Sequence, residues 1–304
     1  MMARRAERLF THSCTSEVAP MSGASGSLSF DQVAHLYDDT RGYPPGVAQS
    51  IADAMLRYGP IAPGAPALEI GIGTGRIAMP LLARGVNLSG IDLSERMLQR
   101  LREKYAAASQ ARAAGAQPAL GRLEVVQGDI TALPFAAGTF DAVIAVHVLH
   151  LVSGWRQAFD EALRVLRPGA PLLLGQDVAH GSLVSHPLQD EWVDIMRELG
   201  AEPRRVGAAS FAEILAEARG RGLMVEERLV ADWTTATSPA EGFADIANRS
   251  WSLTWVTPDD LFAKSVRRLE VWGRQRFGDQ WEAPIETEYS FKLARVAAPA
   301  SPER

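Results

Sequence analysis

The sequence predicts an α/β fold: a doubly wound, mostly parallel sheet with helical insertions over its carboxyl edge. Three observations carry this. From residue 66 to 177, short apolar runs alternate with amphipathic stretches at the spacing of strand–helix units, whose crossovers are right-handed. The first run, PALEIGIG (66–73), ends in glycines where a strand hands over to a helix. The last run, IETEYSFKLARVA (285–297), has the polar alternation of an antiparallel or edge strand.

In chain order, residues 1–28 are rich in Ser, Gly, Ala and charge without a sustained period, and read as a flexible tail with Met21 as an alternative start. Residues 29–298 read as a single domain. Its first part, 29–60, is a helical cover: FDQVAHLYDD from Phe30 is a short helix, RGYPPG (41–46) a turn, and VAQSIADAMLRYG a helix ending at Gly59. The core, 61–177, continues with strands in VNLSGIDLS (86–94), RLEVVQGDI (122–130), FDAVIAVHVLHLV (140–152) and PLLLGQD (171–177). Helices RIAMPLLARG (76–85), SERMLQRLREKYAAAS (94–109) and WRQAFDEALRVLRPGA (155–170) separate them, and the Ala-rich 111–121 is a loop or helix extension. After Asp177 the rhythm breaks. Segments 178–222 and 234–284 read as helical caps, with strands at 223–233 and 285–297.

Composition narrows the function classes. With 47% hydrophobic and 22% charged residues over 304, the chain is ordinary globular material. A net charge of -5 offers no general attraction to nucleic acid or to anionic membranes. No apolar run approaches the ~18 residues of a spanning helix, and Met1 to Phe10 lack the apolar region of a signal peptide. The single cysteine, Cys14, excludes an intramolecular disulfide and a thiolate zinc site. The expectation is a cytoplasmic protein without nucleic-acid, membrane or metal partners. Oligomeric state stays open.

The chemistry concentrates at strand ends. In Glu69-Ile70-Gly71-Ile72-Gly73-Thr74-Gly75, glycines permit a sharp turn and close backbone approach, and the following helix N-terminus favours an anion. The dinucleotide fingerprint puts its third glycine three positions after the second; here that position is Arg76, which counts against a nicotinamide or flavin dinucleotide. Asp92 ends the second strand, where a carboxylate accepts ribose hydroxyls, with helix capping as the alternative that Ser94 fills better. Asp129 ends the third, as an acceptor for the adenine amine or as a turn residue, while Leu93, Met97 and Ile130 sandwich a ring. Asp141 reads as structural.

Together LEIGIGTG, GIDLSERML, GDITALPF, FDAVIAVHVLH and LRVLRPGAPLLL resemble the successive blocks of the class I S-adenosylmethionine-dependent methyltransferases, in their small-molecule, quinone-methylating branch. The resemblance covers about residues 30–177. It implies a Rossmann-like seven-stranded sheet with the last strand antiparallel, S-adenosyl-L-methionine as cofactor, and methyl transfer to a small organic acceptor. It further implies Glu69 and Gly71 near the methionine amine, Gly73 and Gly75 along the amino-acid moiety, Asp92 on the ribose, Asp129 and Ile130 on the adenine, and His147 beside the sulfonium. Two alternatives stand: a cofactor-binding sensor or interaction protein without methyl transfer, and a nucleotide-dependent oxidoreductase disfavoured by the glycine spacing.

The acceptor side is less legible. The family has no universal catalytic residue, because a general base is required only where the acceptor carries a proton. His150, just past the fourth strand, is the candidate catalytic or acceptor-facing group, with a structural role as the alternative. His147 and His150 with Asp177, His180 and His186 form a nominal metal set that is set aside. Tyr37, Arg41 and Tyr43 resemble segments that fold over the cofactor, or else belong to a helix packed on the sheet. Five of the seven tryptophans lie between Trp233 and Trp281. Trp251 and Trp255, four apart, either pack a core or line an aromatic or hydrophobic acceptor's pocket.

Overall fold

The computed structural model describes residues 41–115, 117–181 and 184–299. The expected tail at 1–28 and the helix from Phe30 lie outside the described residues. Among the described residues seven strands form one sheet: β1 (Pro66–Ile70), β2 (Asn87–Asp92), β3 (Leu123–Gln127), β4 (Ala142–Val146), β5 (Leu172–His180), β6 (Met224–Thr237) and β7 (Ile285–Ala297). Their order is β3-β2-β1-β4-β5-β7-β6. Strands β1 to β5 pair in parallel, and β7 runs antiparallel to both β5 and β6. The chain order reverses between β1 and β4, so the carboxyl ends there diverge into a crevice.

Strands buried on both faces need apolar runs, and β4, AVIAV, is buried at every position. On one face it meets α1 (Val47–Tyr58), α2 (Ala78–Leu82) and α3 (Glu95–Ala114), through Ile51, Met55, Leu81 and Leu101. On the other lies α4 (Trp155–Val165), burying Trp155, Phe159, Ala162 and Val165 at helical spacing. A third cluster joins α5 (Ser185–Glu198), α7 (Pro239–Ala247) and α8 (Asp259–Phe277) around Trp192, Leu188, Leu269 and Trp281. These helices form the cap.

The segment 178–222 is not all cap. Helix α6 (Phe211–Gly220) buries Ile214, Leu215 and Ala218 in the same core as Leu174 and Val296, so it flanks the sheet beside α4. The apolar spacing 211, 214, 215, 218 is that of a crossover helix, and β6 follows it directly. Strand β5 continues past Asp177 to His180 because β7 keeps pairing with it, Ala179 opposite Tyr289 and His180 opposite Glu288. Strand β6 likewise runs on to Thr237 opposite Ile285. Helix α3 extends to Ala114, so the first residues of the Ala-rich stretch are helical.

Candidate functional site

A cleft of about 620 Å³, measured out to its open mouth, lies at the carboxyl ends of β1 to β4. It brings together Gly71, Gly73, Asp92, Leu93, Met97, Asp129, Ile130 and His147 from four strand ends, with Val148, Leu151 and Val152 along one wall.

The glycine turn has positive φ at Gly71 (68°), Gly73 (55°) and Gly75 (84°). The three do different work. A Cβ on Gly71 would collide with Val148, whereas one on Gly73 would meet only Met97 Cε at 3.8 Å, so Gly73 borders the cleft. A Cβ on Gly75 would collide with Leu101 of α3, and Gly75 does not line the cleft. In this structure Gly75 lets α3 pack closely.

Asp92 Oδ2 accepts the Gly73 N–H at 2.9 Å and Oδ1 accepts the Ser94 N–H at 2.9 Å, which orients its carboxylate at the cleft wall. Ser94, as expected, caps α3 by accepting the Met97 N–H at 3.2 Å. Asp129 lines the cleft while its Oδ1 accepts the N–H and the hydroxyl of Thr131, each at 2.9 Å, so its turn role and its cleft position coexist. Asp141 pairs with Arg167, a structural tie.

Glu69, at the end of β1 before the turn, does not line the cleft. It is 3% exposed, and its Oε2 has no hydrogen-bond partner among the described residues. Burial pushes its carboxyl up to about 8, partly opposed by Arg76 and reinforced by Asp92.

A polar network missed by the sequence stands beside the cleft. His147 adopts φ 52°, unusual for a non-glycine residue. Its Nε2 accepts the Asp177 backbone N–H at 3.0 Å and lies 3.1 Å from the Asp177 carboxylate. The Tyr43 hydroxyl donates to Asp177 at 2.7 Å, and Arg76 lies 3.7 Å from the same carboxylate and 4.4 Å over the Tyr43 ring. Burial would raise the Asp177 pKa, but His147, Arg76 and Tyr43 outweigh it and hold it near 2. The contact between Tyr43 and Asp177 spans 134 residues, which no local pattern signals. Arg41 accepts a bond from Arg76 at its carbonyl, 3.0 Å, and donates to the Ser250 carbonyl at 2.5 Å, tying this segment to the cap. Tyr37 lies outside the described residues.

Other expectations move. His150 sits in a 3-10 turn (Leu149–Leu151) behind His147, ring centroids 6.5 Å apart, and does not line the cleft. Burial, then His147, Arg205 and Arg41, push it down to about 3. A base that weak is poorly matched to neutral pH, which counts against a general-base role for His150. Trp251 packs edge-on against Trp192 at 5.5 Å in the cap cluster, and Trp255 donates to the Arg249 carbonyl at 2.5 Å. Neither borders the cleft. Arg249 organises that loop, donating to the Thr254 and Thr257 carbonyls and pairing with Asp259. Among the described residues no group of three or more His, Cys, Asp or Glu is placed to hold a metal ion. No helix among them is long and apolar enough to cross a membrane.

Comparison with known proteins places this geometry. Residues 68–174 match the methyltransferase domain family. The chain is 34% identical over 148 residues to the ubiquinone/menaquinone biosynthesis C-methyltransferase UbiE of Cereibacter sphaeroides, covering 48% of this chain and 56% of that enzyme. It thus spans little more than half that relative's length. It is 31% identical over 217 residues to the demethylmenaquinone methyltransferase of a Parafrankia species, covering 67% of this chain and 84% of that one. Among solved structures, the YcgJ protein of Bacillus subtilis superposes with a TM-score of 0.51 at 20% identity, over 82% of this chain and 98% of that one. The cyclase SpnF superposes with a TM-score of 0.50 at 16% identity, over 90% and 98%. The fold is therefore shared beyond enzymes named for methyl transfer, but the sequence identity lies with the methyltransferases. The chain belongs to the class I S-adenosylmethionine-dependent methyltransferases, in the branch that includes the demethylmenaquinone methyltransferases.

Proposed function

We propose that the protein transfers a methyl group from S-adenosylmethionine to a small, aromatic or hydrophobic organic acceptor. The observation that carries this reading is the cleft that joins Gly73, Asp92 and Asp129 at adjacent strand ends, with the buried Glu69 carboxyl, one oxygen of which has no partner among the described residues, directly before the glycine turn. A cationic ammonium group satisfies that oxygen, and the cofactor's amino-acid end has one. The other residues fit the same molecule: Asp92 suits the ribose, Asp129 and Ile130 the adenine edge, and Leu93 and Met97 the ring face. When bound, the cofactor supplies a methyl group on a sulfonium, already activated for in-line displacement.

The chain's own part is mainly positional. Gly71, Gly73 and Asp92 hold one reactant against the β1–β2 ends, and the left-handed backbone at His147 turns the β4 end along the other side of the cleft. Alignment of this kind supplies ~7–11 kcal/mol of a bimolecular barrier. Tyr43, Arg76 and Arg41 close the near side by joining Asp177 to the cap.

Calorimetry should show binding of S-adenosylhomocysteine and none of NAD. Asp92→Ala should weaken that binding by roughly 1–3 kcal/mol, the cost of charge-assisted hydrogen bonds. Preference for NAD would overturn the reading. Binding without S-adenosylhomocysteine production across a panel of phenolic and quinol acceptors would favour the sensor alternative.

A further inference from the structure

The cap carries a second concavity, which shares no residue with the cofactor cleft. It is a groove of about 1090 Å³, measured out to its open mouth, between α5 and α8. Glu191 and Ile195 of α5, with Leu199 just beyond it, form one wall, and Arg267, Val271 and Trp272 of α8 stand on the other. With Lys264 and Arg268, the α8 residues recur at three- and four-residue steps, so they make one face of the helix. Its opposite face is already full, burying Phe262, Leu269 and Phe277 in the cap cluster. Val271 therefore points away from that core. At 58% it is the most exposed large apolar side chain among the described residues.

The charges around this strip divide into tied and untied. Lys264 lies 3.6 Å from Asp260, and Arg268 pairs with Glu198. Arg267 and Glu191, on facing walls, make no hydrogen bond or ion pair with any described residue. A nucleic acid or an anionic membrane would meet one free cation and one free carboxylate, on a chain of net charge -5. The partner that fits must itself offer an apolar strip, a free anion and a free cation. The same groove on a second copy of this chain offers all three.

We infer that the α5–α8 groove is a self-complementary interface through which two copies of this chain form a two-fold dimer. A two-fold axis running along the groove sets α5 of each copy over α8 of the other. Glu191 then meets Arg267 twice, and the two apolar strips meet each other. Val271 enters the opposing groove as a helix ridge enters the furrow between two others. The interface leaves the cofactor cleft untouched and is independent of the methyl-transfer reading.

Sedimentation velocity of the full chain over a hundredfold range of concentration tests this. The wild type should show a monomer–dimer equilibrium, and its melting temperature should rise with concentration. Val271→Asp should weaken the dimer at least a hundredfold, because it buries two carboxylates against an apolar strip. Arg267→Glu and Glu191→Arg should each weaken it at least tenfold, since each sets like charges together twice. The two reversals combined should restore the wild-type affinity to within about threefold. All variants should keep the wild-type circular dichroism and S-adenosylhomocysteine affinity, since none of the three residues borders the cleft. A wild type that stays monomeric overturns the proposal. A dimer that Val271→Asp leaves unchanged overturns it too, by placing the contact elsewhere. Should Val271→Asp fail to fold, the charge reversals decide alone: if combining them does not restore the dimer, Glu191 does not face Arg267 and the two-fold arrangement is wrong.

Discussion

Glu69→Gln is expected to weaken S-adenosylhomocysteine binding by roughly 10- to 150-fold, and to remove a proton release that accompanies binding to the wild type. The carboxyl is buried and protonated at neutral pH, with its pKa at about 8. An ammonium brought against it favours the carboxylate, so binding at pH 7 expels close to one proton. Calorimetry in two buffers of different ionisation enthalpy measures that proton directly. Wild-type affinity should rise as pH approaches 8 and then level off; Glu69→Gln should be flat over that range. The magnitude follows from losing one hydrogen bond to a charged group, ~1.5–3 kcal/mol. Stability carries the opposite dependence. The folded pKa of about 8 exceeds the ordinary 4.5, so the folded state binds the extra proton between those values. Its contribution is complete below 4.5 and is lost as pH rises to 8. At ~1.4 kcal/mol per unit, the ceiling is about 5 kcal/mol. Denaturant titrations at pH 5 and pH 8 should show the wild type losing stability while Glu69→Gln loses less. No proton release, with equal affinity in both proteins, would detach Glu69 from the cofactor.

The sheet and the cleft floor were legible because their determinants are local. Alternating apolar runs specify strands, and the glycines and carboxylates at 71–75, 92 and 129 sit at strand ends that the runs themselves define. Gly75 was placed along the ligand only by the family resemblance; what no local pattern signals is its packing against Leu101 of α3, a contact across 26 positions of sequence. Where function depends on pairing distant segments, pattern gave no handle. Asp177 looked like a strand end, but β7 prolongs β5 beyond it, and that places Asp177 against Tyr43 and His147. Helix α6 looked like cap because nothing local distinguishes a stripe facing a sheet from one facing other helices. The tryptophans suffered from the same ambiguity: their spacing announces a buried face without naming what lies opposite.

That ambiguity has a direct measurement. Trp192 is fully buried at the centre of the cap, donates to the Ser265 hydroxyl at 3.0 Å, and meets Trp251 edge-on. Trp192→Ala should cost ~3–5 kcal/mol, the usual toll of emptying a large aromatic site in a packed core. Trp192→Phe keeps most of the volume and loses the indole N–H, so it should cost nearer ~1 kcal/mol. Trp251→Ala should cost less than Trp192→Ala because its ring is only partly buried. In the double variant the two losses should fall short of additivity by ~0.5–1.5 kcal/mol, the coupling of an aromatic pair. None of these changes touches the cleft, so the folded variants should bind S-adenosylhomocysteine with wild-type affinity. Additive losses would mean that the two rings do not stabilise one another. If Trp251→Ala instead leaves stability intact and abolishes turnover with an acceptor, the tryptophan belongs to the substrate pocket, and the cap must close further over the cleft than its packing implies.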